Sequence, residues 1–225
     1  GAGHNSGVHE AGNPHYLLDP IEGIRVAELV TRRLSKMLPD LAVEFAENLD
    51  KFRDPLAKAL MGEALAERHD VVQIADMYMA GTLDSFLEQQ GHGLALQGWL
   101  GELKEYRGTV IVGDHDLWPY FSRRIGLSVL GYFEPEPGIP PTTKHLQALI
   151  AQMKAQSVQI ILSAPYFDKR HATFVSENTG AVVLPMCHQT QARPATETYF
   201  DMVRHNMETI IQGLKQTQSP APAAQ

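Results

Sequence analysis

Four short apolar runs, at residues 109–112, 128–133, 158–162 and 181–184, constrain this chain more than any other feature. Most positions in these runs are apolar, as in strands buried on both faces. Each run is followed by helical spacing, near residues 116–125, 142–156, 168–179 and 196–214. Strand–helix alternation with short connections implies a parallel sheet covered on both sides, a doubly wound α/β lobe. The second of these helices follows Pro140 and Pro141, has Thr142 placed as its N-cap, and would bury Leu146, Leu149, Ile150 and Met153. The last would bury Val203, Met207, Ile210 and Leu214.

Sheets of this kind bind ligands beyond the carboxyl ends of their strands. The first run closes with Gly113 and Asp114, so His115 falls at such an end. An imidazole there can take up a proton, donate a hydrogen bond or hold a metal. Spacing alone favours a blander role, a helix-capping or core histidine.

Ahead of the sheet the pattern is helical. Ile24, Ala27, Val30, Leu34 and Leu38 mark one amphipathic helix over residues 21–38. After Pro39, the series Leu41, Phe45, Leu49, Phe52, Leu56 and Leu60 marks a long helix with a narrow apolar stripe. Pro55 lies inside it and predicts a kink, or a restart with Asp54 as cap. Residues 67–108 read as an insertion. Val71 to Ile74 is expected to be a short strand, Leu83, Phe86 and Leu87 a short helix, and the glycines at 91, 93, 98 and 101 a loop-rich passage around Trp99.

Composition narrows the function. The 225 residues suffice for one large domain or two small ones. A net charge of −7 argues against a nucleic-acid surface and favours cations. One cysteine excludes an internal disulfide and a cysteine-rich zinc finger, whereas ten histidines leave imidazole ligation open. No apolar run reaches membrane-spanning length, so no direct membrane insertion is expected. No glycine-rich phosphate loop follows any of the four runs, which weighs against a nucleotide module. His4 and His9 lie in glycine-rich surroundings and are expected at the surface, whereas His15 is fixed on a turn between Pro14 and Pro20. His69, His145, His171 and His205 fall in polar helical stretches, where surface placement is expected.

Five segments occur in series: Asn13-Pro14-His15-Tyr16 with Leu18-Asp19-Pro20; Asp114-His115-Asp116-Leu117-Trp118-Pro119-Tyr120-Phe121; Glu134-Pro135-Glu136 running to Pro141; Pro165-Tyr166-Phe167-Asp168; and Glu197-Thr198-Tyr199-Phe200-Asp201. Together they resemble the zinc/manganese-type substrate-binding proteins of ABC metal transporters, over about residues 8 to 214. That resemblance implies two α/β lobes joined by a long helix, with a metal held between them. It further implies that residues 1–38 are a remnant of the first lobe, 39–66 the connecting helix, 67–214 the second lobe and 215–225 a disordered tail. Most of the first lobe is then missing. The polar, glycine-rich start gives the expectation of a fragment, with no signal peptide in this chain.

Carried over by motif, the resemblance makes His15 and His115 metal ligands. The family's fourth ligand is a carboxylate after the last strand, where this chain has Pro185-Met186-Cys187-His188-Gln189 and no acid before Glu197. Cys187 or His188 is expected to stand in, Cys187 first. Zinc accepts imidazole nitrogen and thiolate sulfur. Nitrogen and sulfur favour Zn2+ over Mn2+, which prefers oxygen. Glu134 and Glu136 are placed to accept hydrogen bonds from a ligand histidine. The implied function is a periplasmic or cell-surface metal carrier that serves an ABC permease and is not an enzyme. The alternative is a metal-dependent hydrolase on the same histidines, with Asp114 and Asp116 beside His115.

Overall fold

A parallel four-stranded sheet carries the carboxyl-terminal half of the molecule, in a computed structural model that describes residues 12–90, 93–136 and 138–218. The positions assigned to His4, His9, Gly91 and the tail beyond Gln218 lie outside the described residues. The strands are β1 (Val110–Gly113), β2 (Ser128–Tyr132), β3 (Ile160–Ser163) and β4 (Val182–Pro185), in the order β2-β1-β3-β4. Register pairs Val112 with Ile161 and Ile161 with Val183. The predicted strands are thus all present, each within a residue or two of its expected bounds.

Side-chain alternation divides the sheet's two faces. Ile111, Ile160 and Leu162 join one core, with Phe121, Met207, Ile210 and Leu214. Val112 and Ile161 join a second core, with Leu146, Leu149, Met153 and Val175. Helices α7 (Pro119–Arg124) and α10 (Tyr199–Gln218) therefore cover one face, and α8 (Thr143–Ala155) and α9 (Lys169–Thr179) the other. This is the doubly wound α/β arrangement expected from the alternation. Thr142 caps α8 as expected, accepting from the His145 amide at 3.2 Å. Helix α10 continues four residues past the expected end at 214, so residues 215–218 are helix rather than tail.

The connections leave β1 towards β2 on one side and reach β3 and β4 on the other. The reversal lies between β1 and β3, and the crevice outside their carboxyl ends is where open α/β sheets take ligands. Asp114 and His115 follow β1 there, and Ala164 to Phe167 follow β3.

Among the described residues, six α-helices precede the sheet: α1 (Pro20–Met37), α2 (Ala42–Met61), α3 (Glu63–Ala66), α4 (Val71–Ala80), α5 (Leu83–Gln90) and α6 (Gly98–Leu103). Helix α2 passes through Pro55 without a restart at Asp54. That position is exposed, so water can satisfy the carbonyl that proline leaves unpaired. The region assigned to one connecting helix, 39–66, comprises a short 3-10 turn, α2 and α3, with the break at Gly62, whose φ is +85°. The expected strand at Val71–Ile74 is the start of α4. Asp70 accepts from the Gln73 amide at 3.0 Å and caps that helix. Val71, Ile74, Ala75 and Tyr78 then form one buried helical face, a period that a four-residue window cannot display. Trp99 likewise lies in a helix, α6, rather than in a loop.

Candidate metal centre

The centre is assembled around the end of β1. Asp114 is buried there and accepts hydrogen bonds from the His115 amide at 2.9 Å, the Trp118 indole at 3.3 Å and the Ala164 amide. It thereby ties the ends of β1 and β3 together beneath the crevice. Burial pushes its carboxyl up to about 6, against the opposing pull of these donors. Trp118 and Phe121 are fully packed below.

His115 stands above this platform with its side chain only 14% exposed. Its Nδ1 lies 2.6 Å from Glu134 Oε2, and its ring leans on Phe167 with centroids 5.5 Å apart. Glu134 follows β2 and also accepts from the Gly138 amide at 3.1 Å. A carboxylate on one ring nitrogen fixes the tautomer and leaves the other nitrogen as a lone-pair donor, the arrangement usual for metal-bound histidines. Of the two acidic residues singled out in that loop, Glu134 has this contact, and Glu136 is exposed.

His15 arrives from the far end of the chain. It begins a short 3-10 turn, His15–Leu18, and its amide donates to Asn13 Oδ1 at 2.9 Å. The Asn13 amide group in turn donates to the Asp116 carbonyl at 2.8 Å and its carboxylate at 2.9 Å, joining the two histidine-bearing turns directly. The rings of His15 and His115 meet edge to face, with centroids 5.8 Å apart.

Two further contacts hold the His15 turn against the sheet. The Tyr199 hydroxyl donates to the Leu17 carbonyl at 2.8 Å, and it lies so close to Gly23 that a Cβ there would collide with it. Asp19, which caps α1 through the Ile21 amide, pairs with Arg124 of α7 at 2.8 and 3.0 Å. Both side chains are 1% exposed. Arg124 also reaches the Ala75 carbonyl at 3.3 Å and Asp76 at 3.1 Å, so it joins α1, α4 and α7.

The two candidates after β4 point apart. The strand ends at Pro185 on the edge of the sheet, where proline is tolerated. Cys187 turns into the core, fully buried, with its thiol 2.9 Å from the Gln189 carbonyl and 3.6 Å from Thr196 Oγ1. Its own amide and carbonyl are both taken by Asn206. His188 instead borders a cavity of about 310 Å3 shared with Pro14, His15, Leu17 and Tyr199. Its ring packs edge-on against Tyr166 at 4.5 Å, and its buried Nδ1 has no hydrogen-bond partner among the described residues. Burial and the nearby Arg193 charge push the His188 pKa down, which keeps the imidazole in the neutral form that binds metals. The expected precedence of Cys187 over His188 is therefore opposed by where the two side chains lie. Alkylation of Cys187 by iodoacetamide is expected to be slow in the folded chain, equally so with and without zinc, and fast in urea. Protection conferred by zinc would place the thiol on the metal instead.

Among the described residues, no three His, Cys, Asp or Glu side chains gather closely enough to enclose an ion. His15 and His115 form a pair, and His188 borders the cavity on His15's side. His171 lines a second, more open cleft beside His115 and Glu134. His145 bonds the Tyr132 carbonyl, His205 the Pro185 carbonyl, and His69 packs on Phe86, all half-buried rather than fully at the surface. Sequence reasoning missed Asn13, Asp116 and Asp114 as the supports of the pair. The Pro165-Tyr166-Phe167 motif marked the loop under His115 without giving its role. No helix of the described residues is long and apolar enough to cross a membrane.

Comparison with known proteins gives a consistent picture. The chain is 24% identical over 169 residues to the high-affinity zinc uptake system protein ZnuA of Haemophilus ducreyi, covering 75% of this chain and 43% of that protein. It is 21% identical over 194 residues to the manganese-binding lipoprotein MntA of Halalkalibacterium halodurans, covering 81% and 63%. Among solved structures, the laminin binding protein of Streptococcus agalactiae superposes with a TM-score of 0.63 at 20% identity, over 91% of this chain and 65% of that one. FpvC of Pseudomonas aeruginosa, solved in complex with Mn2+, gives 0.61 at 20% identity, over 91% and 64%. The chain thus spans less than two thirds of the length of each. Residues 95–213, more than half of the chain, match the family model of the periplasmic zinc-uptake complex component A, and the chain belongs to that family.

Proposed function

We propose that this chain carries the metal-capturing part of an extracytoplasmic substrate-binding protein, which takes up Zn2+ and passes it to an ABC permease. The observation that carries the reading is the meeting of His15 and His115 from turns a hundred residues apart, with Glu134 on the Nδ1 of His115. In this reading His15, His115 and His188 are the nitrogen ligands, and Cys187 serves the core. Three imidazoles favour zinc over manganese. Ligands borne on separate turns suit reversible capture, because moving the turns apart releases the ion. We assign residues 1–38 to the end of a first lobe, 39–66 to the connecting helical segment and 67–214 to the second lobe. A periplasmic or cell-surface location follows from the same reading. No observation favours the hydrolase alternative.

Calorimetric titration of the chelator-treated chain tests this. One Zn2+ per chain is expected, bound more tightly than Mn2+, with His188→Ala weakening zinc more than Cys187→Ala. Absence of zinc binding, or an unchanged affinity in His188→Ala, would overturn the respective part of the proposal.

A further inference from the structure

Helix α4 lies outside the site: none of its residues lines either cavity beside the histidines. It nevertheless packs against α1, α2 and α7. Its buried face, Val71, Ile74, Ala75 and Tyr78, shares one core with Ile21 and Ile24 of α1 and Phe121 of α7.

Both histidine-bearing turns hang from elements that α4 holds. The His15 turn runs into α1, and α7 begins at Pro119, just beyond His115. Asp76, in the middle of α4, gives one carboxylate oxygen to each of these helices. Its Oδ2 lies 2.6 Å from Arg25 of α1, and its Oδ1 lies 3.1 Å from Arg124 of α7. The end of α4 is tied to the root of β1, the strand whose other end carries His115. There Arg107 donates to the Tyr78 and Met79 carbonyls at 2.7 and 3.2 Å and stacks over the Tyr78 ring. Carbonyls in the last turn of a helix have no partner within it, so a cation there both bonds them and opposes the helix dipole. Sliding α1 away from α7, which parts the two histidines, must therefore pull Asp76 off one of its arginines.

We propose that α4 is a brace for the metal centre, with Asp76 as its positioning residue. By bridging α1 and α7 it holds the two histidine turns at the spacing one zinc ion needs, and so slows release of the ion. The inference rests on the proposed function for its ligand and on the ion pairs for its geometry. Asp76→Ala and Asp76→Glu, each read in two ways, test it. In the metal-free chain, hydrogen exchange at the amides of residues 15–21 is expected to quicken in Asp76→Ala, while those of α8 and α9, on the far face of the sheet, keep the parent rate. Asp76→Glu, which keeps a carboxylate of sufficient reach, should leave both unchanged. Zinc affinity, read by chelator competition, should fall roughly fivefold or more in Asp76→Ala, through faster dissociation at an unchanged association rate, and return in Asp76→Glu. Arg25→Met cuts only the α1 half of the bridge; it should shift both readouts the same way, and it carries the test if Asp76→Ala does not fold. Uniform quickening at all amides, selective quickening with zinc dissociation unchanged, or no change in either would overturn the brace. A parent chain that binds no zinc would defeat the proposed function instead, and the exchange comparison alone would then decide whether α4 holds the turns.

Discussion

Arg124→Met is expected to lose about 3–5 kcal/mol of folding stability, because it leaves the Asp19 carboxylate buried without its partner. Against a total of roughly 5–15 kcal/mol for a folded domain, that loss would bring the chain close to unfolding at ordinary temperature. Urea denaturation followed by far-UV circular dichroism is the measurement. Asp19→Leu combined with Arg124→Met should be far milder, since neither charge is then stranded, although the cap on α1 and the link to Asp76 are lost. A single substitution costing less than about 1 kcal/mol would mean that water or Asp76 compensates the site, against its 1% exposure. The pair matters beyond stability, because Asp19 closes the turn that presents His15. Weakening it should loosen zinc as well, even in the fraction that remains folded.

The second large effect concerns zinc itself. His115→Ala is expected to lower zinc affinity by more than about 100-fold, and Glu134→Gln by about 10- to 100-fold, the usual loss when a carboxylate behind a ligand histidine is removed. Glutamine retains the shape and a hydrogen-bonding oxygen but not the negative charge behind the ring. Competition with a chromophoric chelator at neutral pH reads both constants. His205→Ala serves as control, since that ring is engaged with the Pro185 carbonyl. Equal affinity in Glu134→Gln and the parent chain would make the 2.6 Å contact a structural one, unconnected to metal capture.

The sheet was legible because four short, mostly apolar runs stand at regular intervals between helical patterns, although only the central β1 and β3 are mainly buried. The place of His115 followed from the same logic, as the residue just beyond a parallel strand. Val71 to Ile74 misled because three apolar residues in a stretch of four suit a strand and the first turn of a buried helix alike. The cap at Asp70 and the helical period out to Tyr78 decided for the helix. The supports of the site were illegible for another reason. Asn13 meets Asp116 across 103 positions, and Asp19 meets Arg124 across 105. Nothing local in a sequence reports which distant polar groups will face each other. The choice between Cys187 and His188 turned on parity. Two neighbours in extended chain face opposite ways, and only the path taken after Pro185 settles which of them faces inward. The Asn206 side chain, nineteen positions on, holds that path by bonding both the amide and the carbonyl of Cys187.

In the proposed function, His15 and His115 bind one ion together. Anomalous scattering at the zinc edge, from crystals of the chain grown with one equivalent of Zn2+, addresses it directly. One strong peak is expected within bonding distance of a ring nitrogen of each histidine, about 2.0–2.1 Å from both, on the side away from Glu134. A peak bound to only one of these rings, or a zinc held elsewhere on the molecule with the pair left bare, would contradict it.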